Sequence, residues 1–402
     1  MIMKNTTIVI GGNFAGLTAA LELKRKDKSQ HVILIDKSTV FLFIPSLIWV
    51  PFKRRDIKDI SIRKDELLKN KGVEFVHAEA LEIDPDTNTV TTSKGKYSYT
   101  NLVIATGPKV EYDVAPGVKD FAHYIGTPKG AMDTRKALEA FKSNPGPIVI
   151  GATQRAGCMG AAYEFLFNIE KWLREQGIRD KVDLHWITPE DYLGHFGIDG
   201  MVGAETMLKS FMKMFNIHFH TEVGVESMNA ESVKLTNGEE LKSDFTMLMP
   251  PFIGVDLIFN SPKLNSTKAG YIPVGADYRH RDYDNIWAAG IAVDVELPFT
   301  PKTVPFGAPK TGYPSDETGK IVAENIIRIS KGETKLKEKE WGKIPGLCVM
   351  DAGKKEVIII SDHLFKPRKF GIMIPNVFYD VFKILFEKYF LWKMKKGYSF
   401  LP

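Results

Sequence analysis

Cysteine is scarce: the chain of 402 residues holds two, Cys158 and Cys348. Two thiols so far apart match no zinc spacing and build no disulfide scaffold. They are either inert core thiols or a redox couple. Long apolar runs are missing as well, and none reaches the roughly 20 residues that span a bilayer as a helix. There is no solenoid repeat and no low-complexity tract. No basic leader with a cleavage site precedes the run Thr6-Thr7-Ile8-Val9-Ile10, so the expectation is a protein made and kept in the cytoplasm without a signal peptide. Charge of one sign is nearly absent over most of the length. The net charge is +5, yet Lys366 to Pro402 alone carries eight Lys and Arg against two acids, Asp380 and Glu387. That basic end is rich in aromatics, which fits membrane phosphates better than nucleic acid.

What is present reads as α/β. A prior of about 150 residues per domain suggests two or three domains. The opening run 6–10 leads into a glycine turn, a helix over about Phe14 to Lys26, and a second strand from His31 to Ile35 that ends at Asp36. This β-turn-α-β order is the start of a dinucleotide-binding unit. The turn Gly11-Gly12-Asn13-Phe14-Ala15-Gly16 stands where G-x-G-x-x-G belongs. Gly11 allows the tight turn and Gly16 lets helix and strand pack closely. Asn13 replaces the middle glycine and tolerates unusual backbone angles. The helix start offers free N–H groups to a pyrophosphate, and Asp36 is placed for a ribose hydroxyl.

A second α/β unit starts at Gly146, with a helix expected from about Gly157 to Gln176 and a strand over 183–187. Its glycine turn is degenerate. After Gly151, Thr153 and Ala156 occupy the motif positions, and the acid after the next strand, Glu190, comes late, so a second nucleotide is disfavoured. The turn carries Cys158 instead. A thiol at a helix start sees the positive end of the dipole, which favours thiolate. The chain then returns through the buried run 285–290 to a helix near 315–330. The expected organisation is 1–122 with 273–330 as the first, dinucleotide-binding domain, 123–272 as a second, degenerate Rossmann-like domain, and 331–402 as a C-terminal membrane-association region.

Several segments are more specific than a glycine turn: Gly146 to Gly151 through Cys158, Ala162-Tyr163-Glu164, Tyr192 to Ile198, Phe306 to Tyr313, Cys348, Lys366 to Lys369, and Phe386-Glu387-Lys388-Tyr389-Phe390. In these, in order over essentially the whole length, the chain resembles the sulfide:quinone oxidoreductases of the flavin disulfide-reductase superfamily. The resemblance implies two Rossmann-like, glutathione-reductase-like domains, non-covalent FAD in the first of them, and oxidation of sulfide to sulfur or polysulfide at Cys158 and Cys348, with electrons passed to membrane quinone at the C-terminal region. It implies a cofactor set of Gly11, Asn13, Phe14, Ala15, Gly16, Asp36, Lys37, Pro45, Thr106, Gly107, Gly290, Ile291, Lys310 and Gly312, with Lys310 supplying positive charge to reduced flavin. Phe386 would stack on quinone with Lys383 beside it. Glu164 is a candidate general base, or a solvated helix acid. His195 is a candidate proton carrier, or a structural turn residue.

Four departures matter. Gly126 stands where relatives often carry a third cysteine, so no thioether to FAD can form there. Gly130 replaces a histidine, Ile291 replaces an Asp, and the chain stops at Pro402 where many relatives continue. The tail itself, with Phe378, Phe382, Leu385, Phe386, Tyr389 and Trp392 at helical spacing and Lys383, Lys388, Lys393, Lys395 and Lys396 between them, is expected to be a peripheral membrane helix on an anionic surface. The competing reading is a helix packed on the core. A homo-oligomer is left open. Competing activities are a type II NADH:quinone oxidoreductase, the flavin subunit of a cytochrome-linked sulfide dehydrogenase, and a flavin-stabilised interaction protein with idle thiols. No metal site is expected.

Overall fold

The structure is a computed structural model that describes residues 5–353, 355–376 and 380–402. Phe378 of the aromatic stripe lies outside the described residues. The β-branched run Thr6–Ile10 forms β1, and the Ala- and Leu-rich segment Phe14–Lys26 forms α1, which closes on Lys24, Arg25 and Lys26 at the negative end of its dipole. β2 (His31–Asp36), β3 (Glu74–His77) and β4 (Asn101–Ile104) follow. The second unit supplies β5 (Ile148–Ala152), α2 (Met159–Glu175), β6 (Leu184–Ile187), α3 (Ala204–Met214), β7 (His218–His220) and β8 (Phe245–Met249). The chain then returns through β9 (Ile286–Ala288) and α4 (Gly312–Ser330), and ends in β10 (Gly346–Ala352), β11 (Lys355–Ser361), β12 (Gly371–Asn376) and α5 (Asp380–Lys396).

Two parallel sheets organise these elements. The first has the order β9-β4-β1-β2-β3 and the second β7-β6-β5-β8. The expected α/β class with two Rossmann-like sheets is therefore what forms. The strands β1, β5 and β8 are buried on both faces, as parallel sheets require, and read as apolar runs rich in Ile, Val, Leu and Met, whereas the edge strands β3 and β7 are largely exposed. In the first sheet the strand order reverses beside β1, which opens a crevice at the carboxyl ends of β1 and β4.

The described residues from Gly346 onward are tied down rather than trailing. β10, β11 and β12 form an antiparallel sheet, and α5 lies against α1, α4 and the segment after β2. Lys393 Nζ is 2.9 Å from Asp316, with both side chains buried. Ser399 donates to Glu22, and Lys320 reaches the carbonyl of Leu401. Phe390 of α5 packs on Phe14, Phe41 and Phe43. Among the described residues no helix is long and apolar enough to cross a membrane.

Candidate functional site

The first glycine turn is a cradle that side chains would fill. Gly11 has φ of +93°, and a Cβ on it would lie 2.3 Å from the carbonyl oxygen of Ala105. A Cβ on Gly16 would lie 1.9 Å from that of Gly11. Asn13 needs no unusual backbone: its φ is −105°, so the tolerance expected of it is unused. Asp36 stands at the end of β2 and accepts from the Gly12 N–H at 2.6 Å and the Ser38 N–H at 2.8 Å. Lys64, which the motif gave no reason to suspect, is fully buried and pairs with Asp36 at 2.6 Å. Burial lowers its ammonium pKa, and the Asp36 carboxylate works against that shift. The N–H groups at the α1 start and a fixed acid at the end of β2 suit a dinucleotide.

Other expected cofactor residues cluster at the same edge. Gly107 and Gly290 take left-handed φ of +68° and +69° after β4 and β9. A Cβ on Gly290 would lie 2.9 Å from that of Ala15, and one on Gly312 about 3.0 Å from the Phe14 ring. Phe14 itself turns into the aromatic cluster with Phe390. Thr106 and Ile291 are half-buried beside these turns, whereas Lys37 and Pro45 are exposed, Lys37 weakly paired with Glu79 at 3.4 Å. Lys310 donates to the carbonyl of Val293 at 2.8 Å and lies over the Tyr271 ring. Burial pushes its ammonium down to about 7, with Asp294 pulling the other way. It is thus a lysine poised to gain charge when an anion comes near, rather than one permanently charged. It lines a cavity of about 200 Å³ with Glu111, Arg155, Gly157, Tyr271 and Asp294.

Cys158 caps the start of α2 and is half-buried, Cys348 on β10 is exposed, and both are free thiols. The expected stabilised thiolate at Cys158 is not found: desolvation raises its pKa, and the Ala161 amide at the helix start lowers it by less. Cys348 is open at its surface yet surrounded by protein. Desolvation, and then the charge of Cys158, push its thiol up to about 12. The two residues, remote in sequence, therefore lie within electrostatic reach of each other.

Three of the specific segments converge beside them. A Cβ on Gly157 would lie 2.6 Å from the Ala308 carbonyl oxygen, and one on Gly197 would lie 2.2 Å from that of Gly307. The late acid of the second unit, Glu190, is fully buried. It is held by Tyr163 Oη at 2.9 Å, Thr188 Oγ1 at 2.8 Å and the Phe196 N–H at 2.6 Å, and burial raises its pKa to about 7. It has no free edge for a ribose. His195 is buried among Tyr192, Phe299 and Phe306, 3.9 Å from Asp199, and burial lowers its pKa.

Glu164 and Lys383 form a buried ion pair. Glu164 is thus no solvated helix acid. It also accepts from the Asp351 N–H at 3.2 Å. Asp351 in turn takes Arg54 at 2.5 Å and the Trp49 indole N–H at 2.8 Å, while Glu387 takes Arg55 at 2.9 Å and Ser46 at 2.5 Å. None of Trp49, Arg54, Arg55 or Asp351 was marked by a motif. Phe386 is half-buried, next to Phe43 and Phe390. The tail helix is two-faced in an unexpected way: Lys383 and Lys393 point inward to acids, and Lys388, Lys395 and Lys396 remain outside with Val381, Phe382, Leu385 and Trp392. Two of the five lysines assigned to membrane phosphates are therefore core ion pairs. Gly130 leaves no room for a side chain, since its Cβ would lie 2.0 Å from the Tyr124 carbonyl oxygen. Among the described residues no cluster could hold a metal ion.

Comparison with known proteins agrees with this geometry. Residues 5–305 match the pyridine nucleotide-disulphide oxidoreductase family. The sulfide-quinone reductase of Aquifex aeolicus is 32% identical over 98% of this chain and 92% of its own length. The X-ray structure of that bacterium's sulfide:quinone oxidoreductase superposes with a TM-score of 0.94 over 98% of this chain and 92% of that one. A mitochondrial sulfide:quinone oxidoreductase of Mus musculus is 27% identical over 81% of this chain and 72% of its own.

Proposed function

The chain belongs to the pyridine nucleotide-disulphide oxidoreductase family and, within it, to the sulfide:quinone oxidoreductases, and on that premise we propose that it oxidises sulfide through Cys158 and Cys348 and passes the electrons by way of FAD to membrane quinone. It is a flavoprotein oxidoreductase. The observation that carries the finer reading is the packing of β10, which bears Cys348, on α2, which starts at Cys158: Asn168 and Glu164 of α2 both bond the backbone of Asp351 on β10. Both cysteines are free thiols in this structure; after their two-electron oxidation to a disulfide, hydrosulfide attack on one sulfur would break the S–S bond, leaving a persulfide on that cysteine and a thiolate on the other. Bound FAD supplies the two-electron acceptor, which amino-acid side chains cannot. The cradle of Gly11, Gly16 and Asp36 would hold its dinucleotide and Lys310 would answer the negative charge it gains. Gly126 offers no thiol, so attachment would be non-covalent.

On the tail side, Lys383 and Phe386 would receive quinone at the foot of α5. The exposed Phe370, just before β12, Ile372 and Ile374 of β12, and Val381, Phe382 and Leu385 of α5, together with Lys388, Lys395 and Lys396, would rest on an anionic membrane surface. NADH is disfavoured as donor because Glu190 is sealed by three hydrogen bonds. Anaerobic mixing of the purified flavoprotein with sulfide or with NADH tests the reading. Sulfide should bleach the flavin within the mixing experiment and added quinone should restore its colour. Bleaching by NADH and none by sulfide would refute it.

A further inference from the structure

Trp49 is ringed by cations. The single-turn helix Ile44–Trp49 begins beside Pro45 and ends at this indole. The chain then reverses: Lys53 takes a left-handed φ of +58°, and the Arg54 N–H returns to the Trp49 carbonyl at 3.0 Å. That turn brings Arg54 and Arg55 back over the ring, their guanidinium carbons 5.0 and 4.8 Å from its centroid. Lys383 arrives from α5, with its Nζ at 4.8 Å from the same centroid. Each cation has an acid of its own: Asp351 on β10 for Arg54, Glu387 on α5 for Arg55 and Glu164 on α2 for Lys383. Three ion pairs from separate parts of the chain thus share one buried indole.

Like charges crowded into a site of low dielectric repel one another, even where acids balance their sum. An aromatic face attracts a cation through its quadrupole, most strongly in tryptophan and more once water is excluded. The Trp49 N–H is already given to Asp351 at 2.8 Å, so what the indole offers Lys383 is its face. Lys383 has need of it: burial and the charge of Arg54 disfavour the ammonium, with Glu387 opposing. A charged ammonium is a donor for the oxygen that gains negative charge as quinone takes electrons from the flavin. We propose that Trp49 is the positioning residue that holds the Lys383 ammonium charged and in place for quinone. This rests on the reading that Lys383 lies beside quinone.

The test uses the FAD-loaded enzyme with two variants. Trp49→Leu removes the ring. Trp49→Phe keeps an aromatic face and loses the N–H. Reduction of the flavin by sulfide and its reoxidation by quinone are followed separately against pH. Reoxidation should fall as pH rises and Lys383 loses its proton. A face that favours the ammonium raises that midpoint. Trp49→Leu should therefore lower it by about one pH unit and slow reoxidation about tenfold above both midpoints. Trp49→Phe should recover most of the shift, and sulfide-driven reduction should be unchanged in both. A wild-type reoxidation profile in Trp49→Leu overturns the proposal. So does an equal shift in Trp49→Phe, because the lost bond to Asp351 would then be the cause. If Trp49→Leu does not fold, fluorinated tryptophan incorporated throughout the wild-type chain keeps the shape and weakens the face. The midpoint should then move down in the wild type and not in Trp49→Phe grown the same way; an unmoved midpoint in the wild type overturns the proposal. Lys383→Met separates the two levels. If its flavin is reoxidised by quinone as in the wild type, the parent reading fails. If reoxidation is slow there while Trp49→Leu behaves as wild type, only the role of Trp49 fails.

Discussion

Glu164 of α2 and Lys383 of α5 are joined in an ion pair almost wholly withdrawn from water. It ties the helix that starts at Cys158 to the tail helix that carries the quinone-side residues. Burial, and then the charge of Arg54, push the Lys383 pKa well below its ordinary value, with Glu387 opposing. Removing one partner strands a buried charge, which costs about 3–5 kcal/mol, whereas an apolar pair of similar volume is often neutral. Lys383→Met alone should therefore lower the urea midpoint markedly. The double change Glu164→Leu with Lys383→Met should recover most of the loss. Equal destabilisation in single and double variants would mean the pair is not energetically coupled.

Lys310 gives a pH signature with a defined sign. Its folded pKa is about 7, against about 10.4 in an unfolded chain. Between those values the unfolded state binds a proton that the folded state does not, so stability rises with pH across that window. The penalty is fully present below pH 7 and fades toward pH 10. In flavin-free protein, Lys310→Met should be the more stable form at pH 6, by on the order of a few kcal/mol, and the gap should close by pH 10. Adding FAD should narrow the gap at pH 6, because a nearby anion favours the charged lysine. Thermal melts at the two pH values, with and without FAD, decide it.

Flavin retention should depend on Gly11. A Cβ there would sit 2.3 Å from a backbone oxygen on a φ of +93°, a strain no side-chain movement relieves. Gly11→Ala should purify colourless, with the second sheet intact by circular dichroism. In the wild type, acid precipitation should release all the yellow colour to the supernatant. A flavin-bearing peptide in the pellet would contradict non-covalent binding.

The first unit was legible because its signals are local. β1, the glycine turn, α1 and Asp36 lie within one short stretch, and each residue type answers a nearby backbone need. The buried partners were not legible. Lys64, Lys383 and Lys393 look like any solvated lysine, and what buries them is an acid elsewhere in the chain: Asp36, Glu164 and Asp316. The acidity expected of Cys158 failed for a related reason. The helix start is local and visible in sequence, but the desolvation that outweighs it comes from segments brought in by the fold. The sheet of β10, β11 and β12 was also missed, since its alternation is obscured by apolar residues such as Leu347, Ile360, Ile372 and Ile374 that face outward.

Membrane association should trace to that outward face rather than to the whole tail. Truncation would strip Phe390, Lys393 and Met394 from the core, so point changes are the cleaner probe. Phe382→Glu with Leu385→Glu alters two exposed side chains. This pair should abolish pelleting with anionic liposomes and slow quinone reduction, with sulfide-driven flavin reduction retained. Wild-type binding should weaken as salt screens Lys388, Lys395 and Lys396. Undiminished pelleting of the double variant would refute the anchor.

The two thiols carry the chemistry in the proposed function, so their removal is the sharpest test. Cys158 and Cys348 are the only cysteines of the chain, and no other thiol can rescue either. Cys158→Ser and Cys348→Ser should each lower sulfide-dependent quinone reduction by on the order of 10³-fold or more, because a covalent step disappears rather than a contact. A serine hydroxyl forms neither persulfide nor disulfide and stays protonated where a thiol ionises. Both variants should keep their flavin, since neither residue lies in the turn from Gly11 to Gly16. The thiols differ in setting, Cys158 half-buried at a helix start and Cys348 exposed on a strand, so the variants need not fail alike. A variant that reduces flavin once but does not turn over would identify the surviving cysteine as the one that hands electrons to the cofactor. Near wild-type turnover in both would return the two cysteines to the status of inert thiols and leave the sulfide site to be sought elsewhere in the cleft.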